Sequence, residues 1–206
     1  MKEKTIETFN ASSDVISLLE ISRGIGWNTV REQSIQRIIY FAKVFYSFVS
    51  NETYFPFESY HFSTTFSGPY SELINRSIAF LRSKKIITED EEGNIILNEG
   101  SQAISESSND DTSSSAWLKI IIYILSLYGE NRIYNFIIHD PLYKEAIATN
   151  TQKELDTGIE NTSISVLNQF RTAFEETLED TSSIDEKEYL ELYFEYIFSK
   201  IITQKG

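Results

Sequence analysis

The chain has 206 residues, enough for one ordinary domain or two small ones on a shared core, and its 41% hydrophobic and 14% aromatic content can fill such a core. Thirty-one acids against eighteen bases give a net charge of −13, which excludes bulk electrostatic coating of nucleic acid or an anionic membrane. Cysteine is absent and histidine occurs twice, which excludes disulfide frameworks, thiolate nucleophiles and cysteine zinc sites and nearly closes off histidine metal sites.

Residues 1–7 are mixed in charge and lack an apolar run, so no secretory signal is expected and the chain is placed in the cytoplasm. Residues 1–13 read as a loose polar arm. Val15, Ile16, Leu18, Leu19 and Ile21 predict a short helix over 14–22, ended by Gly24-Ile25-Gly26. Thr29 and Glu32 have capping-box spacing. Behind them Ile35, Ile38, Ile39, Ala42, Phe45, Tyr46 and Val49 predict an amphipathic helix. Residues 59–65 alternate loosely and suit a short strand. Gly68-Pro69 is read as a helix start, because proline lacks an N–H that would be unbonded there anyway. Tyr70, Leu73, Ile74, Ser77, Ile78 and Leu81 form that helix's inner stripe. Residues 86–89 and 95–97 read as a hairpin across a Glu91–Asn94 turn.

Residues 101–115 are serine and acid with little to bury, and read as a linker. Residues 116–128 follow as a buried helix, too short to cross a bilayer. Residues 131–138 read as a helix stopped by His139-Asp140-Pro141, and residues 142–148 as another short helical turn. Leu167, Phe170, Phe174 and Leu178 mark a further helix, and Ser183 with Glu186 caps the last one, which is expected over 185–202. The expected fold is therefore mainly α with a small β-wing. A winged-helix-like half (residues 1–100) is joined by the linker (101–115) to a helical bundle (116–206).

In DNA-binding winged helices the helix before the wing enters the major groove. Here that helix offers Arg76, Arg82, Lys84 and Lys85, but Glu89, Asp90, Glu91 and Glu92 on the wing oppose phosphate. A packing scaffold or protein-binding module is the favoured reading. The last helix carries apolar residues on more than one face. Either it is a central core helix, or Tyr189, Tyr193, Phe194, Tyr196 and Ile197 dock onto a partner. Catalytic candidates are thin. His61 lies among aromatics and reads as a strand or core histidine, and His139-Asp140 reads as a helix cap because further metal ligands are lacking. Neither a P-loop nor a G-x-S-x-G motif occurs, and Gly24-x-Gly26 follows a helix where a dinucleotide fingerprint needs a strand. No catalytic residue, cofactor or metal is expected.

The run Tyr60-His61-Phe62-Ser63-Thr64-Thr65-Phe66-Ser67-Gly68-Pro69-Tyr70-Ser71-Glu72-Leu73, continuing to Leu81-Arg82-Ser83-Lys84-Lys85-Ile86-Ile87, resembles small bacterial proteins with a winged-helix-like fold. They include Panacea-type antitoxins, phage-associated proteins and the middle components of three-component ABC-ATPase, or Lamassu-type, anti-phage systems. Tyr128-Gly129-Glu130-Asn131-Arg132-Ile133-Tyr134-Asn135-Phe136-Ile137-Ile138-His139-Asp140-Pro141-Leu142-Tyr143 is also similar to the middle-component pattern. The resemblance implies a non-catalytic subunit bridging an SMC-like ATPase sensor and an effector such as a nuclease. It supplies no catalytic residues. The other readings are an antitoxin or transcription regulator that binds a toxin or DNA, and a carboxylate-dependent metal enzyme.

Overall fold

A computed structural model describes residues 2–49, 55–98, 113–149, 154–178 and 180–203. The first helix, α1 (Lys2–Gly24), takes in most of the segment expected to be a loose arm. Its inward face carries Ala11, Val15, Leu18 and Leu19, all buried, and the Ser77 hydroxyl of the third helix donates to Thr8 O at 3.3 Å. The earlier turns are polar in sequence, so packing against that third helix makes them helical where local pattern gives no sign of it. The helix ends in a Schellman turn: Trp27 N–H reaches Ser22 O at 2.9 Å, Gly26 N–H reaches Arg23 O at 3.0 Å, and Gly26 takes φ +92°.

Helix α2 (Glu32–Val49) is the centre of the fold. Ile35, Ile38, Ile39, Tyr40, Phe41, Ala42, Val44 and Phe45 are all at most 1% exposed, so the helix is enclosed nearly all round rather than on one stripe. It packs on α4 (Ser113–Ser126), α5 (Ile133–His139), α7 (Thr162–Thr177) and α8 (Glu186–Thr203). Trp117 Nε1 donates to Ala42 O at 2.7 Å, fastening α4 to α2. The two halves of the sequence thus share one core. Helix α2 starts at Glu32, which puts Arg31 and not Thr29 at the N-cap position and Glu32 at the first helical position, so the Thr29–Glu32 spacing does not act as a capping box.

Strands β1 (Ser63–Thr65) and β2 (Gly68–Tyr70) form a tight antiparallel hairpin. Pro69 therefore lies in a strand, and α3 (Glu72–Ser83) begins after it. Buried Gln36 fixes this junction, accepting from Ser71 N–H at 2.8 Å and donating to Ser71 O at 3.3 Å. A second hairpin, β3 (Ile87–Glu89) with β4 (Ile95–Leu97), follows α3. The strand near residues 60–65 does not join it; instead Val30 bridges Ile95, adding one residue's width to that sheet. The linker lies mostly outside the described residues, but Ser113, Ser114 and Ser115 form the first turn of α4.

Between α5 and α6 (Pro141–Ala148), Asp140 is the N-cap of α6 and Pro141 its first residue. Asn161 caps α7 in the same way, accepting from Ile164 N–H at 2.9 Å. The cap of α8 is shifted from its expected place. Asp185 accepts from Lys187 and Glu188 N–H at 2.9 Å each, while the Glu188 carboxylate accepts from Asp185 N–H at 3.0 Å. The molecule is mainly helical, with two small hairpins among the described residues.

Candidate functional site

The aromatic face proposed for α8 divides. Tyr189, Tyr193 and Phe194 are 3%, 2% and 1% exposed, and belong to the chain's own core rather than to an outward surface. Phe194 meets Phe41, Phe45 and Phe136 edge-on at centroid distances of 5.4, 5.6 and 5.3 Å, geometry that aromatic quadrupoles favour. Ile197 is half-buried against the same cluster. Tyr196 alone of the five stays open, its ring tilted beside that of Phe170 at 5.4 Å.

The cations on α3 and just after it are also partly committed. Arg82 donates to the Glu89 carboxylate on β3. Lys84 Nζ lies 5.7 Å from the centre of the Phe80 ring. Lys85 occupies the left-handed C′ position of a Schellman turn at φ +59°, with Ile86 N–H on Leu81 O at 3.0 Å. Arg76 is half-buried. Across the hairpin tip Asp90 accepts from Glu92 and Asn94 N–H at 2.9 and 2.8 Å, and these bonds, the Asn94 side chain's first, hold its carboxyl below the usual range. The tip is thereby set as an anionic turn.

The most deliberately held exposed side chain is one that sequence reasoning passed over. Phe66, at the tip of the β1–β2 hairpin, is 98% exposed. The peptide groups around it are pinned from below. Tyr143 donates its hydroxyl to Thr65 O at 2.5 Å, Arg37 donates Nη2 to Ser67 O at 2.5 Å, and the Tyr134 hydroxyl faces Phe66 O at 3.5 Å. Thr65 Oγ1 closes the turn onto Gly68 O at 2.7 Å. Arg37 is only 7% exposed, and its guanidinium lies 4.7 Å from the centre of the Tyr134 ring. Burial lowers its pKa, but it stays charged, because arginine's ordinary value is so high. Gly68 has φ +122°, and a Cβ there would stand 3.2 Å from Arg37 Nε, so both backbone and space call for glycine. A buried cation thus holds a turn whose side chain points into water. The available sequence signal was the lone aromatic between polar residues ahead of Gly68-Pro69.

The two histidines do not meet. His61 is exposed, against its expected place in a strand or core, and pairs with Glu154. His139 Nδ1 bonds Asn135 O within its own helix. Asp140 is a buried tie among α2, α6 and α7: Tyr40 donates to Oδ1 at 2.8 Å, Tyr143 N–H to Oδ1 at 2.9 Å, and Ser163 to Oδ2 at 2.6 Å. Burial pushes its carboxyl above the usual range against these bonds. Asp14 on α1 accepts from the Tyr60 hydroxyl at 2.7 Å, and burial raises its carboxyl to about 6. No group of three or more His, Asp or Glu that could hold a metal occurs among the described residues. Among them, no helix is long and apolar enough to cross a membrane.

Compared with family models, with curated proteins and with solved structures, the chain matches none.

Proposed function

We propose that this chain is a protein-binding accessory subunit of a bacterial anti-phage complex of the three-component ABC-ATPase type, working in the cytoplasm between an SMC-like ATPase and an effector. In this reading it carries out no bond chemistry. The observation that carries it is the Phe66 tip, a fully exposed aromatic on a turn held by buried donors. Aromatic side chains are enriched where protein interfaces are most buried. Covering a phenylalanine yields about 1.5–3 kcal/mol, and a turn already ordered loses little of that to immobilisation.

We read the first half as winged-helix-like. The order α1, Val30 bridge, α2, α3, β3–β4 supports this, with Ile95 paired to both Val30 and Glu89. The internal commitments of Arg82 and Lys84 and the acids beyond β3 favour a protein partner over DNA.

The test is co-expression with the proteins encoded beside the gene, followed by affinity purification of the wild-type chain and of Phe66→Ser. The reading expects the wild type to retain a neighbour-encoded protein and Phe66→Ser to lose it while melting at the same temperature. A wild-type chain that retains neither neighbour, or a variant that retains both unchanged, overturns it. Sequence-specific retention of its own upstream DNA would establish the regulator reading instead.

A further inference from the structure

A second surface stands apart from the hairpin tip. At the C-terminal half of α2 an apolar cavity of about 480 Å³ opens between the Phe55–Tyr60 loop and the 154–161 loop. Tyr46, Phe55 and Phe57 wall it. Tyr46 meets the rings of Phe55 and Phe57 edge-on at 6.0 and 6.4 Å, and a third ring, Trp117, backs Tyr46 at 6.0 Å. This interlocked cluster gives the cavity a fixed shape. Ile159, 60% exposed, stands at its rim. The flanking loops are tied down. Lys43 donates Nζ to Glu58 O at 3.0 Å and to Tyr60 O at 2.5 Å, and Leu155 N–H reaches Phe62 O at 2.7 Å.

Next to it, sharing Phe55 and Glu58, lies a larger polar cavity of about 940 Å³ between α1, the same loop and the start of α4. Its carboxylates are Glu7, Asp14 and Glu58. Asp14 is bonded to Tyr60, the Glu58 carboxylate is attracted by the Lys43 ammonium, and the Glu7 carboxylate makes no hydrogen bond or ion pair among the described residues. Among the described residues the positive groups nearby are engaged: Lys43 by the two carbonyls and by the charges of Glu58 and Glu154, His61 by Glu154. An apolar cavity and an acidic one therefore share a wall.

We infer that these adjoining cavities form a docking site for a basic segment of a partner protein, with one large apolar side chain seated against Tyr46, Phe55 and Phe57 and adjacent Lys or Arg residues facing Glu7 and Glu58. Charge complementarity selects this occupant. The chain's own 99–112 segment has only acids as charged residues, so by charge it does not match these carboxylates. The volumes fall in the range of pockets that enclose a ligand. The site is independent of Phe66.

The test is fluorescence anisotropy of a labelled Lys-Lys-Leu-Phe-Lys-Lys peptide on the full chain. Control peptides replace Leu-Phe by Ser-Ser, or every Lys by Glu. The first peptide is expected to bind, more weakly as salt rises, and both controls to bind at least about tenfold worse. Ser47→Phe, which fills the apolar cavity, and the pair Glu7→Gln with Glu58→Gln are each expected to weaken binding by about tenfold with melting temperature retained, whereas Phe66→Ser leaves it unchanged. Equal binding of the Ser-Ser control, indifference to Ser47→Phe, no binding at all, or saturation of the site by a second copy of the chain each overturns the inference.

Discussion

Replacing Asp14 by asparagine should make the protein more stable at neutral pH, although it deletes a hydrogen-bonded carboxylate. Burial raises the Asp14 carboxyl from its ordinary 3.8 to about 6, against the lowering effects of its bonds to Tyr60 and Ser114. The folded state therefore holds this proton more tightly than the unfolded chain does. Its contribution is fully present below pH 3.8, declines as pH rises through the window to 6, and is lost above it. A difference of roughly two pKa units corresponds to about 3 kcal/mol. The side-chain amide introduced by Asp14→Asn keeps an oxygen for the Tyr60 hydroxyl, now 2.7 Å from the carboxylate, and has no proton to lose. The assay is urea unfolding of both proteins in steps from pH 3.5 to 7.5. Subtracting one curve from the other cancels the remaining carboxylates, including the raised Asp140. Wild type should lose about 3 kcal/mol relative to D14N across the window, a relative midpoint shift of about 1–2 M. A difference flat to within about 0.5 kcal/mol would refute the assignment of a proton-retaining carboxyl at this position.

Other perturbations test separate parts of the fold. Asp140→Ala strands the Tyr40 hydroxyl and Tyr143 N–H and removes the α6 cap, so it should cost about 3–5 kcal/mol in denaturant unfolding, with Asp140→Asn costing clearly less. Lys85→Gly relieves a left-handed non-glycine residue and should stabilise by about 1 kcal/mol, read as a melting temperature about 2–4 °C higher. Arg37→Met should leave the melting temperature within a few degrees of wild type but release the hairpin turn. Hydrogen exchange at the 65–68 amides would show this, together with loss of partner retention as complete as in Phe66→Ser.

The long elements were legible because their apolar residues repeat at helical spacing and their ends carry Gly, Pro, Asp and Asn. The α3 stripe from Leu73 to Leu81 and the β3–β4 hairpin lie close to where the spacing puts them. What was missed depends on contacts distant in sequence. Residues 2–10 are helical because α3 lies alongside, and nothing in their own polarity says so. Pro69 reads locally as a first helical residue, yet Arg37, thirty-two positions earlier in sequence, holds the preceding turn and makes it a strand. Helices α2 and α8 look equally greasy, and only the packing shows that α2 takes the centre and α8 covers it with Tyr193 and Phe194. The candidate site escaped for the same reason. One phenylalanine in a polar turn gains meaning only when its carbonyl neighbours are seen bonded to Arg37 and Tyr143.

The most direct measurement puts a photo-crosslinking benzophenone amino acid in place of Phe66 and irradiates living cells that carry the neighbouring genes. The account predicts one dominant adduct, with a protein encoded beside this chain, absent when the same group replaces solvent-exposed Lys84. Crosslinks equally spread from both positions, or none from position 66, would contradict it.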